Sequence, residues 1–315
     1  MDHFLSWYNT KEMQANLGNM IKKVKTPSVS IVMGVRNAES TIEKTISSIL
    51  NQANESLELI IVNDGSTDST ETIIRKINQE DNRIKCVTRK NKGLTISLIE
   101  GCELAQGEFI ARHDANDLSV PGRINAQVDA LRDNRKASFC STFVRHVTRE
   151  GVGALVTTYE GIIHGSVMMR KSAYLQVGGY RSQFYYAQDI DLWSRLEEVG
   201  DHIVIPKIYY EALLYPESIS GTKGGDQRKF FNIITKASNA RKKKENEEVW
   251  LNRAYRLSQR CRNQKTKKES FADGAYFIGS CLSEHNPTLA KKYFQEAIRF
   301  NGLHLRSHLR LAGMR

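Results

Sequence analysis

The residues with the clearest capacity for chemistry lie in the run from Asn91 to Arg123, NKGLTISLIEGCELAQGEFIARHDANDLSVPGR. Here Asp114-Ala115-Asn116-Asp117 closely follows the apolar segment Phe109-Ile110-Ala111, so carboxylate and amide oxygens fall at the carboxyl end of a predicted strand. Open α/β sheets bind their ligands at that end. Hard oxygen donors suit Mg²⁺ or Mn²⁺ carrying a nucleotide diphosphate. Taken alone, the same four residues also read as a polar turn capping a helix that begins near Pro121.

The elements that must position this turn are legible around it. Val29 to Val35 is a continuous apolar, β-branched run, the pattern of a strand buried on both faces. Ser40-Thr41-Ile42-Glu43 then reads as a capping box, and Ile42, Ile46, Ile49 and Leu50 form one helical stripe. Leu57 to Val62, Ile84 to Val87 and Phe109 to Ala111 are the next strands. Helices are expected from Asp68 and Glu71, carrying Ile73, Ile74 and Ile77, and around Leu94 to Ala105. Strand and helix alternate, so the expected architecture is α/β: a mostly parallel sheet with helices on both faces.

Five segments then occur in a telling order. TPSVSIVMGVRNAESTIEKTISSILNQ, LELIIVNDGSTDST, NKGL…GCELAQGEFIARHDAND, HGSVMMRKSAYLQVGGY and AQDIDLWSRLEEVG resemble the successive motifs of a family 2 glycosyltransferase with a GT-A fold, over Thr26 to Ser220. The resemblance implies a nucleotide-diphosphate sugar as donor, a glycan or lipid-linked acceptor, and a divalent metal, Mn²⁺ or Mg²⁺. It assigns Asp64 to the uracil of a UDP-sugar, with Val35, Arg36 and Asn37 in the same pocket, and Asp114 to the ribose. The metal falls to Asn116 or Asp117, with His164 on the segment bordering the acceptor and the diphosphate kept as a further metal candidate. Asp189 is the catalytic base that inverts the anomeric centre, and Gly178-Gly179-Tyr180 shapes the acceptor pocket. From sequence proximity, Lys92, Arg112 and Arg123 are candidates to face the diphosphate. Asp191 is two residues past Asp189 on the same predicted helix and should point elsewhere.

Three departures from the family pattern stand out. Arg36 occupies the place of a base-stacking Tyr: either its planar guanidinium stacks instead, or the change signals a different nucleotide. Asn116 replaces an acid, removing one charge from the metal site. Leu213-Leu214-Tyr215-Pro216-Glu217-Ser218 lacks the Arg and His with which relatives often hold the pyrophosphate. The last two leave an alternative open: a GT-A-shaped binding or scaffold subunit with little or no turnover.

Composition frames the rest. The 315 residues are 40% hydrophobic, enough for one sizeable core, and carry a net charge of +11. The five cysteines are scattered, without C-x-x-C spacing, and read as reduced thiols. The start, MDHFLSWYNTKEM, lacks the pattern of a secretory signal, so a cytoplasmic protein is expected, with peripheral attachment to the inner face of the membrane. The expected organisation is an N-terminal helical segment over 1–25, a GT-A domain over 26–220, and a basic helical region over 226–315. Gly221-Thr222-Lys223-Gly224-Gly225 reads as the linker. In the last region, two apolar stripes flank Asn286-Pro287 and resemble one tetratricopeptide-like hairpin. The runs Arg241-Lys242-Lys243-Lys244 and Lys265-Thr266-Lys267-Lys268 favour an anionic membrane surface as partner. No nucleic acid is expected, since no recognition motif interleaves aromatics with the basic runs.

Overall fold

The computed structural model describes residues 27–52, 56–151, 153–156, 162–216, 218–262 and 268–314. The expected N-terminal helical segment, residues 1–25, lies outside the described residues. Strands β1 (Val29–Val35), β2 (Leu57–Asn63), β3 (Ile84–Thr88) and β4 (Phe109–Arg112) lie parallel in the order β3-β2-β1-β4. Between them run α1 (Ile42–Leu50), α2 (Thr70–Glu80) and α3 (Leu94–Leu104).

Side chains alternate across a strand, and the two faces of this sheet feed two cores. Val29, Ile31 and Met33 pack with Ile42, Ile46 and Ile49 of α1 and Ile74 of α2. Val32, Ile60 and Ile110 pack instead with Leu98 and Cys102 of α3. Burial on both faces explains the unbroken apolar runs. Each fully buried Ile contributes about 1.5–3 kcal/mol.

The chain continues through β5 (Leu118–Ser119), α4 (Arg123–Asp133), β6 (Ala137–Thr148), β7 (Gly153–Val156), β8 (Met168–Arg170), α5 (Lys171–Gln176), α6 (Gln188–Leu196) and β9 (Asp201–Leu214). From β4 the sheet extends β8-β6-β9-β5, with β7 beside β6. Strand β8 runs antiparallel to both β4 and β6, so this half of the sheet is mixed. Strand β9 reaches back across the sheet to pair with β5, immediately after the acidic turn.

Six helices follow: α7 (Ile219–Thr222), α8 (Gly224–Lys242), α9 (Glu248–Arg262), α10 (Lys268–Leu282), α11 (Pro287–Phe300) and α12 (Leu305–Ala312). The hairpin about Asn286-Pro287 forms as expected, with Asn286 Oδ1 capping α11 by accepting from Leu289 N at 2.9 Å.

Three expectations are corrected. The Gly-rich stretch is helical, not a linker: a Cβ on Gly221 would lie 2.8 Å from Gly274 Cα, so glycine here permits close helix packing. No capping box forms at α1: the helix begins at Ile42, so Thr41 and not Ser40 is the N-cap, and the Thr41 hydroxyl makes no cap bond but donates to Asn116 Oδ1 (2.6 Å). Arg241, read within a basic run that favours an anionic membrane surface, is largely buried and pairs with Glu198 (2.9 Å) and Glu247 (2.6 Å), the latter also held by Arg181 (2.7 Å).

Packing at the glycines makes a prediction whose sign opposes helix propensity. Alanine in an exposed helix interior is worth roughly 1 kcal/mol over glycine, and Gly225 has open space around it. A Cβ on Gly274 would lie 2.1 Å from Pro216 O. Gly225→Ala is therefore expected to hold or raise the melting temperature, and Gly274→Ala to lower it by at least about 3 °C. Equal shifts by calorimetry would contradict the close approach.

Candidate active site

Strands β1 and β2 end side by side, and the loops after them form one polar corner. Asp64 N donates to Val35 O (2.8 Å), and Asn37, left-handed at φ 52°, accepts from Thr67 N (2.8 Å). The buried Asp64 carboxylate takes three bonds: Arg89 Nη1 (2.5 Å) and Lys92 N (2.8 Å) on Oδ1, and Gly93 N (2.8 Å) on Oδ2. An ionised carboxylate offers about four acceptor positions, which leaves room for one more donor. Arg89 is locked in turn by Glu100 (2.5 Å) and Ser97 (2.9 Å). Gly65, at φ 71°, lets the backbone pass within contact of Asn91.

At the end of β4 the chain turns sharply and nearly every polar group of the turn is tied down. Arg112 is buried: Nη2 donates to Asp114 Oδ1 (2.5 Å) and Nη1 to Val32 O (3.4 Å), while Nε has no partner. His113 bridges Asp114 O (2.9 Å) and Ser119 Oγ (3.1 Å). Burial, reinforced by the Arg123 charge, holds its pKa well below the ordinary value, so it is neutral. Asp114 N donates to Tyr210 Oη (3.0 Å), and Thr45 Oγ1 donates to Ala115 O (3.1 Å) and Asp117 O (3.0 Å). The Asn116 amide is engaged at both ends, accepting from Thr41 and donating to Tyr215 Oη (3.0 Å). Asp117 Oδ1 accepts from Leu213 N (2.8 Å). Burial, and then the Asp114 charge, push the Asp117 carboxyl up to about 8.

The third component is α6. Ala187 enters it in the left-handed region (φ 57°), and Leu192, Trp193 and Leu196 anchor it in the core. Asp189, half-buried in the first turn, accepts from the backbone N–H groups of Asp189 and Ile190. Burial raises its pKa, and the Asp114 charge adds to the rise while the Arg112 charge opposes it. Asp189 is therefore near enough to the acidic turn for the charges of Asp114 and Arg112 to act on it. Asp191 points into the core, bonded to Arg195 (2.6 Å) with Arg181 at 3.7 Å. His164 Nε2 meets Tyr180 Oη at 2.6 Å, and its ring stands edge-on to Trp193 (5.7 Å). Gly178 and Gly179, at φ 76° and 63°, make the turn that presents Tyr180. A cavity of about 470 Å³ opens on the α1 side of the turn, lined among others by Thr41, Lys44, Asn116, Arg145 and Arg149; Asp64, Asp114 and Asp189 are not among its walls.

Residues 30–208 match the family model described as Glycosyl transferase family 2. The chain belongs to that family. EpsE of Bacillus subtilis (strain 168), named as a glycosyltransferase, is 39% identical over 189 residues, covering 55% of this chain and 68% of EpsE. An uncharacterized glycosyltransferase of Haemophilus influenzae is 28% identical over 251 residues, 72% of this chain and 75% of that one. The chondroitin synthase of Escherichia coli is 27% identical over 225 residues, 68% of this chain but 33% of the synthase. Among solved structures, TarS of S. aureus in complex with UDP superposes with a TM-score of 0.55 at 15% identity, covering 91% of this chain and 88% of that chain. That likeness is one of fold, GT-A, and its extent takes in the C-terminal helices as well as the sheet.

In this glycosyltransferase, the expected residues fall into distinct positions. Val35, Asn37 and Asp64 share the β1–β2 corner, with Arg36 exposed beside it. Asp114, Asn116 and Asp117 share the turn, and Asp189 stands in the first turn of α6, within reach of the Asp114 charge. The candidate diphosphate contacts are placed differently. The Lys92 side chain leans toward Glu100 (3.6 Å), Arg112 lies beneath Asp114, and Arg123 is a buried strut donating to Arg112 O (2.8 Å) and Gly165 O (2.7 Å). Burial brings the Arg123 pKa down to about 10. His164 is held by Tyr180. Among the described residues, no three His, Cys, Asp or Glu side chains gather into a metal cluster. Two carboxylates and an amide oxygen are the sparse set with which Mg²⁺ is held when substrate phosphates complete its shell.

Sequence reasoning missed Arg89, His113, Tyr210 and Tyr215. Arg89 had a usable signal, standing just past a strand end as Asp64 does. The tyrosines of β9 and its end had none, since only the pairing of β9 with β5 brings them to the turn.

The buried acid gives a pH-dependent prediction. An aspartate titrates near 4 in the unfolded chain and Asp117 near 8 in the folded one. The folded state therefore holds the extra proton between those values, and stability falls as pH rises through that window. Asp117→Asn removes this loss and keeps an acceptor for Leu213 N. In metal-free buffer at pH 8 the variant should melt at least about 2 °C above wild type, with the advantage shrinking toward pH 5. Lower stability than wild type at pH 8 would contradict the assignment.

Proposed function

We propose that this glycosyltransferase moves a sugar from a uridine diphosphate donor to a hydroxyl of a glycan or lipid-linked acceptor in surface polysaccharide synthesis, inverting the anomeric centre. The observation that carries the reading is the half-buried carboxyl of Asp189 in the first turn of α6, near enough to the acidic turn for the charges of Asp114 and Arg112 to act on it. The solved complexes of TarS with UDP and UDP-GlcNAc support uridine. The names of two relatives, chondroitin synthase and hyaluronan synthase, support a glycan product.

In this mechanism Asp64 accepts the base N–H at its remaining position, and Asp114, oriented by Arg112, takes the ribose. Asp189 accepts the proton of the acceptor hydroxyl. The oxygen then forms its bond to C1 from the face opposite the diphosphate, and the electron pair of the breaking C1–O bond leaves with the diphosphate. A raised pKa brings Asp189 closer to the working pH, where a base is most effective. A divalent cation, Mn²⁺ or Mg²⁺, held by Asp114 and Asp117 with the Asn116 oxygen, would neutralise charge on the departing diphosphate.

The exposed Lys242, Lys243 and Lys244 suit an anionic membrane surface carrying a lipid-linked acceptor, each adding about 1 kcal/mol. Among the described residues, no helix is long and apolar enough to cross a membrane.

The amide in Asp189→Asn keeps the carboxyl's shape but cannot take a proton. Turnover in a UDP-release assay across UDP-sugars and oligosaccharide acceptors should fall about 10²–10⁴-fold. The dissociation constant for UDP should stay within about threefold. Wild-type turnover in the variant would remove Asp189 from the role of base.

A further inference from the structure

The loop that precedes α6 carries Tyr185, which no motif singled out. Its half-buried ring packs directly on Gly93: a Cβ there, where φ is 94°, would lie 2.7 Å from Tyr185 Cε2. Gly93 is the residue whose N–H is bonded to Asp64 Oδ2 (2.8 Å). The surface reached from the Asp64 carboxylate across Gly93 is therefore an aromatic ring. Arg36, on the opposite lip of the corner, is near enough for its charge to act on the Tyr185 hydroxyl, as the Asp64 charge also does.

The ring is held in place from outside the segment that matches the family model, which ends at residue 208. Ser258 of α9 donates to Gln183 O (2.6 Å) and accepts from Tyr185 N (3.0 Å). The Arg262 guanidinium, at the end of the same helix, lies 5.6 Å over the Tyr185 ring centroid, and Tyr186 meets the ring edge-on at 4.8 Å. From the other side, Thr95 Oγ1 donates to Phe184 O (2.7 Å), clamping the loop to the start of α3. Helices α8 and α9 close beneath it, burying Phe230, Ile234, Leu251 and Ala254 against Phe184 and Tyr186.

We propose that Tyr185, fixed by Ser258 and Arg262, is the aromatic wall of the pocket for the donor's nucleobase, so that the C-terminal helices form part of the donor site. This rests on the reading of Asp64 as the carboxylate that receives the base. A nucleobase has a π-face whatever its hydrogen-bonding edge, and stacks on an aromatic side chain. Tyr185 brings an aromatic ring to a corner otherwise built of backbone and the polar side chains of Asp64, Arg89, Asn37 and the exposed Arg36. Ser258 and Arg262 are positioning residues, acting through the ring.

Calorimetric titration of UDP with Mn²⁺ into the full chain tests this. Tyr185→Leu, which keeps bulk and removes the π-face, is expected to weaken UDP about five- to twentyfold. Tyr185→Phe should restore binding to within about twofold. Arg262→Ala, a change at an exposed side chain, should weaken it at least about twofold, and it decides the question should Tyr185→Leu fail to fold. Unchanged affinity in Tyr185→Leu, or an equal loss in Tyr185→Phe, overturns the stacking role while leaving the proposed function intact. A wild-type protein that does not bind UDP overturns both.

Discussion

The Asp117 carboxyl is held inside the protein next to Asp114, with Leu213 N and the Tyr210 hydroxyl as partners. Moving a carboxylate out of water is unfavourable unless a cation or proton accompanies it. Here burial keeps the proton on. Much of the neighbouring architecture fixes the turn that bears this acid: α1 supplies Thr41 and Thr45, and β9 supplies Tyr210 and Leu213. Tyr215, just past β9, completes the set by bonding the Asn116 amide. The short β5–β9 pairing matters for the same reason, since it brings a distant strand to residues adjoining the turn.

A buried Arg stands beneath the turn and a second one beside it, and they do different work. Arg112 bonds Asp114, and its charge opposes the rise in the Asp189 pKa. Among the described residues, no carboxylate is bonded to Arg123. Its guanidinium ties together backbone carbonyls of β4 and of the short turn at His164–Ser166, with the Tyr210 ring beneath it at 4.8 Å. A guanidinium's five donors make it suited to such bracing.

The C-terminal helices are continuous with this machinery. Phe184 and Tyr186 share one apolar cluster with α8 and α9, and Arg181, Glu198, Arg241 and Glu247 form a connected ionic group behind α6. Leu214, at the end of β9, likewise joins the cluster of α10 and α11.

The local patterns carried a large part of this. Continuous apolar runs marked the parallel strands, apolar residues at helical spacing marked α1 and α2, and Asn286-Pro287 marked the hairpin, because each depends on neighbours within a few residues. The places of Asp64, Asp114 and Asp189 at two strand ends and a helix start were legible for a related reason: each follows from its neighbours in the chain. Asp191 was rightly set apart from Asp189 by spacing alone. What the sequence left open were choices between partners of similar chemistry. Thr41 could cap α1 or bond Asn116, Gly221 could bend freely or pack tightly, and Arg123 could face a ligand or brace carbonyls. Lys92 and Arg112 posed the same choice, as did His164 between metal and Tyr180. Only the tertiary structure decided these. A polar side chain's role is fixed by which donors and acceptors come within about 3 Å of it, and for these residues many of those groups come from segments distant in the chain.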